Sequence, residues 1–147
     1  ALELLEGLYV ENSQHGAARD TMRSCIAEAL GCLPHEESAW LLLRILGEDK
    51  TGDVRASACH SVLRLLASRC LDNSLESLHT TLLAVQHKDG DRYVTAYAAE
   101  AVHRVDHMLQ ARWNLDEDRI SPAPLLIRWC SCGDGWQATV DRKGNRG

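Results

Sequence analysis

The stretch Asp91-Arg92-Tyr93-Val94-Thr95-Ala96-Tyr97-Ala98-Ala99-Glu100-Ala101-Val102 decides how the chain is read, because two weaker versions of it lie upstream. Val94, Ala98, Ala101, Val102 and Val105 fall at helical spacing on one stripe, which predicts an amphipathic helix packed against neighbours. Laying Val94 over Val54 sets Asp53 to Val62 beside Tyr93 to Val102, an offset of 40 residues. Laying Val54 over Met22 adds a third copy, Thr21 to Leu30, 32 residues earlier, in which Ala27-Glu28-Ala29-Leu30 anticipates Ala99-Glu100-Ala101-Val102. Self-similarity with this period predicts stacked helix pairs.

These copies resemble the HEAT repeat family, whose second helix opens with an Asp some residues ahead of a Val-Arg pair and continues with small residues. Asp49 precedes Val54-Arg55 and Asp89 precedes Val94, whereas Thr95 stands where the family has its Arg and Ala17 where the first copy would have its Asp. The resemblance, which covers roughly residues 1 to 110, implies an all-α fold. That fold is an α-α superhelix, a solenoid of about three antiparallel helix pairs plus a C-terminal capping helix. It also implies an inter-repeat ladder drawn from Arg23, Asp49, Arg55 and Asp89, and a concave surface lined by the second helix of each pair. Such a fold specifies architecture better than activity.

Taken in order, the chain places Leu2, Leu5, Leu8 and Tyr9 on the stripe of a first helix, and Met22, Ile26, Ala29, Leu30 and Leu33 on that of a second, running from Gly16 to Leu33. Pro34 ends it. His35 to Leu46 carries a broad apolar face, with Trp40 counted as core. Asp49-Lys50-Thr51-Gly52 and Asp72-Asn73-Ser74 read as turns that supply helix caps. Leu75, Leu78, Leu82 and Val85 mark the cleanest helix, and the next is predicted from about Arg92 to Arg112. The expected domain spans 1–130, with repeats at about 1–33, 34–70 and 71–112 and a terminal helix at about 121–130; residues 131–147 are expected to be a flexible tail.

A length of 147 residues suits one domain with its own core. A net charge of −5 disfavours nucleic acid, and no apolar run is long enough for a membrane span, so protein or peptide partners are expected. The chain opens inside a Leu-rich helical pattern with no secretory signal, as a processed fragment would. Cys25, Cys32, Cys59 and Cys70 sit in or beside helical patterns, which fits reduced thiols and a cytoplasmic setting.

On the stripe opposite Val94 and Ala98, the repeat offsets bring Glu28, His60 and Glu100 into one row, with His103 and His107 one and two turns further along. This row is the candidate binding surface. Two imidazoles and a carboxylate also suit a metal, but the spacing is short and bundle sites draw ligands from several helices, so neither metal nor cofactor is expected. Cys130-Ser131-Cys132 is only half of a zinc pattern. No phosphate loop or nucleophile triad stands out. The expected function is non-catalytic: a scaffold that binds a protein or peptide on its concave face. The alternative is a HEAT-like enzyme or accessory lyase, as in deoxyhypusine hydroxylases or bilin lyases. Only His35-Glu36 matches the His-Glu dipeptides of the hydroxylases.

Overall fold

The computed structural model describes residues 1–120, which form six helices and no strand. These are α1 (Leu2–Glu11), α2 (Ala17–Leu30), α3 (Glu36–Glu48), α4 (Gly52–Ala67), α5 (Leu75–Lys88) and α6 (Arg92–Ile120). The expected terminal helix at 121–130, the tail and the Cys130/Cys132 pair lie outside the described residues. Residues Ala1–Met108 make one compact unit, and a second begins at Leu109, part-way along α6. Within that second unit Gln110 donates to Asn114 at 3.1 Å, and Trp113 and Leu115 are exposed.

The core of the first unit is aliphatic. Leu30, Leu42, Ile45, Val54, Val62, Leu65, Leu78, Leu82, Val94 and Val105 are all fully enclosed. In α4 and α6 the stripe read from the sequence is the packed face: Val54 and Val94 are both 0% exposed, as are Ala58 and Ala98. Helix α4 lies against both α2 and α3, and α1 lies against α2. The α2–α4 approach is close because Gly31, just past α2, has no side chain: a Cβ there would sit 2.7 Å from the Cβ of Ser61. Gly52 plays the same part where the start of α4 meets the Asp91 carboxylate.

The structure corrects several expectations. Met22, aligned with Val54 and Val94, is 45% exposed, because among the described residues no helix covers that side of α2. Trp40 is not core; it is 40% exposed over a cleft of about 350 Å³ between α1 and α3, beside Leu2, Glu6, Glu37 and Arg44. Its neighbours Leu41, Leu42 and Leu43 already fill the packed face, leaving the indole at the rim. Helix α2 stops at Leu30 rather than Leu33, the chain leaving it at Gly31 in a tight turn closed by Cys32 and Leu33 N–H bonds to the Ala29 and Leu30 carbonyls. Helix α6 runs past Arg112 to Ile120.

Caps also differ from expectation. Ser74 precedes α5, but its hydroxyl bonds the Glu36 carboxylate on α3 instead of capping its own helix. Asp91 caps α6, its Oδ1 accepting the N–H of Tyr93 at 2.8 Å and of Val94 at 3.3 Å. Arg69 closes α4 with φ of 64°, the left-handed turn conformation that usually falls to glycine.

Candidate functional site

Two arginine–aspartate pairs organise the turns at one end of the helices. Arg23 on α2 donates from Nε to Asp49 Oδ2 at 2.7 Å and from Nη2 to Oδ1 at 3.1 Å; Arg55 on α4 repeats this on Asp89 at 2.8 and 2.9 Å. Each carboxylate also accepts a backbone N–H two residues on, Thr51 at 3.0 Å and Asp91 at 2.9 Å. Arg55 then reaches back to the Asp49 carbonyl at 2.9 Å, so the pairs form a chain through successive turns. Thr95, at the next arginine position, bonds the Arg92 carbonyl of its own helix and carries the chain no further.

Burial tends to raise the Asp49 carboxyl, but the Arg23 guanidinium, the Thr51 N–H and the Tyr9 hydroxyl together hold it below the usual carboxylate range. Asp89 is lowered chiefly by its bonds from Arg55. Tyr9, a stripe residue of α1, donates its hydroxyl to Asp49 Oδ2 at 2.9 Å, a contact the stripe alone does not foretell, and burial with this bond pushes its phenol upward. A cleft of about 410 Å³ opens beside Tyr9, Arg23 and Asp49. Arg23 has nothing left to offer a ligand there. Its remaining N–H groups are taken by the Asn12 and Gln14 carbonyls, Asp20 and Thr51. This cluster holds the fold together.

The candidate row lies elsewhere. Glu28, His60, Glu100, His103 and His107 are all exposed, and His60 and Glu100 share a cleft. That cleft, about 530 Å³ between α4 and α6, is lined by His60, Leu63, Arg64 and Ala67 on one side and Ala96, Tyr97, Glu100 and Arg104 on the other. The His60 and Tyr97 rings meet with centroids 5.6 Å apart. Arg64 donates to the Glu28 carbonyl at 2.8 Å in the last turn of α2 and reaches Cys32 Sγ at 3.1 Å, which links the third row member to the cleft through its backbone only. Arg104 donates to Glu100 at 3.0 Å.

His103 and His107 pair with each other edge to face, centroids 4.7 Å apart, and are not among the residues lining the cleft. The row therefore divides. Among the described residues no three His, Cys, Asp or Glu side chains are placed to hold a metal ion. Arg64, Tyr97 and Arg104 were missed by the sequence reading. Each sits three or four residues from a row member, at helix-neighbour spacing, and that spacing was the signal.

Among the described residues no helix is long and apolar enough to cross a membrane. Cys25, Cys32, Cys59 and Cys70 are free thiols, and burial pushes that of Cys59 up to about 12. No protein-family model matches the chain, and neither a curated protein nor a solved structure matches it.

Proposed function

We propose that the chain is a HEAT-like solenoid of helix pairs, α1–α2, α3–α4 and α5–α6, serving as a non-catalytic module that docks a protein or peptide on the face formed by its second helices. The observation that carries this reading is the α4–α6 cleft: an open furrow about 530 Å³ in volume with a buried Leu63 and exposed aromatic, small apolar and charged side chains along its walls. Recurrence of the Arg–Asp pairing supports the repeat reading, since Arg23–Asp49 and Arg55–Asp89 place the same contact between successive pairs. The cleft holds a single carboxylate, Glu100, which is engaged by Arg104. Free thiols on α2 and α4 fit a reducing, cytoplasmic setting.

Photo-crosslinking tests the reading. A benzophenone amino acid at Ala96, inside the cleft, should capture a discrete protein in cells, whereas the same group at Thr80 on α5 should not. Equal yields from both positions would remove the cleft from consideration.

A further inference from the structure

We propose that the α4–α6 cleft recognises an acidic peptide segment, a carboxylate flanked by an apolar or aromatic residue, with Arg64 and Arg104 as its donors. This rests on the reading of that face as a docking surface and specifies the chemistry of the partner. The chain as a whole carries a net charge of −5, yet the cleft holds two guanidinium groups against one carboxylate. Both arginines are tethered through a single nitrogen. Arg64 is fixed through Nη2 to the Glu28 carbonyl and Cys32, leaving Nε and Nη1 without a protein acceptor among the described residues. Arg104 is fixed through Nε to Glu100, leaving both terminal nitrogens without one.

Arg104, held through Nε, keeps the parallel N–H donors of Nη1 and Nη2 open and is pre-organised for a carboxylate, whereas Arg64, whose Nη2 is taken, adds single donors from Nε and Nη1. Lysines would not have this shape, and the cleft has none. Between the two arginines the walls are Leu63, Ala67, Ala96 and the Tyr97 ring, which is 37% exposed and braced by His60. Such a surface accepts an apolar or aromatic side chain next to the acid. The Glu100–Arg104 pair is neutral as a unit, so the cleft keeps one net positive charge from its two arginines and one carboxylate, and the Glu100 carboxylate bars a second acidic group on its side and so sets a direction.

The test uses the full chain, labelled with nitrogen-15, titrated with a capped glycine–serine hexapeptide that carries one glutamate beside a leucine and a tyrosine, and with its glutamine counterpart. The acidic peptide should shift amide signals on α4 and α6 around Arg64 and Arg104 and bind about tenfold more tightly than the glutamine peptide, the difference shrinking with added salt. Arg104→Gln, which breaks only an exposed contact, should abolish most of that preference while leaving the spectrum folded; Arg104→Lys should restore only part of it. Equal binding of both peptides in the cleft would overturn the acidic preference while leaving the docking surface standing. No binding of the acidic peptide, or shifts confined to other helices, would also overturn it, and crosslinking from Ala96 separately decides whether the cleft docks anything.

Discussion

Arg23 grips Asp49 edge-on through two bonds, 2.7 and 3.1 Å, with the two side chains only 3% and 2% exposed. The equivalent pair, Arg55 and Asp89, is 16% and 9% exposed. A buried pair that loses one partner leaves the other charge uncompensated, so Asp49→Ala should cost roughly 3–5 kcal/mol. Asp89→Ala should cost less, about 1–3 kcal/mol, since water reaches its partner. Urea denaturation of both variants checks the order; equal losses would mean that burial does not separate the two turns.

Acid should weaken the fold through the same groups. Because Asp49 and Asp89 are held below their unfolded values, their contribution is complete above the ordinary carboxylate range and is lost as pH falls through the depressed values. Stability measured between about pH 5 and about pH 2 should therefore fall more steeply for the parent than for Asp49→Asn, which has no such proton to take up. Parallel curves would remove Asp49 from the acid response.

Gly31→Ala should destabilise by roughly 1–3 kcal/mol, because the new methyl group meets Ser61 in the α2–α4 contact and a packed helix pair cannot yield without shifting. Gly47→Ala serves as the control, since a methyl group there meets nothing and α3 gains a better helix former; about 0.5–1 kcal/mol of stabilisation is expected. Thermal melts of the two distinguish close packing from a general effect of replacing glycine.

Thiol labelling separates the cysteines. Cys25 and Cys32 are exposed and should react promptly with an alkylating reagent, whereas Cys59, fully buried and with its thiol raised to about 12, should react only when the protein unfolds. Modification of Cys59 in the native protein at the rate of Cys32 would place it on the wrong side of α4.

The helices were legible because their stripes are dense: Val54, Val62 and Leu65 in α4 and Val94, Ala98 and Val105 in α6 recur at helix spacing and all are enclosed. The ladder residues could be named because the resemblance to HEAT repeats assigns polar positions as well as apolar ones. Other features depend on approach between distant segments. Tyr9 reaches Asp49 across 40 residues, and Gly31 meets Ser61 only once α2 crosses α4. Trp40 and Met22 share the pattern of buried residues, yet Trp40 stands at the rim of the cleft between α1 and α3 and Met22 on a side of α2 that no described helix covers. In the candidate site, the helical wheel found His60 and Glu100 but extended the row along α6 to His103 and His107. The cleft instead runs across to α4, through Tyr97, Arg64 and Arg104, because it is shaped by the gap between two helices.

The most direct test of the docking face is Tyr97→Ala, measured in parallel for melting temperature and for crosslinking from Ala96. Tyr97 makes one ring contact and lines the cleft, so its loss should leave the melting temperature within about 2 °C of the parent while sharply reducing crosslinked product. A variant that unfolds early, or one that crosslinks as well as the parent, would contradict the assignment of the α4–α6 cleft as the binding surface.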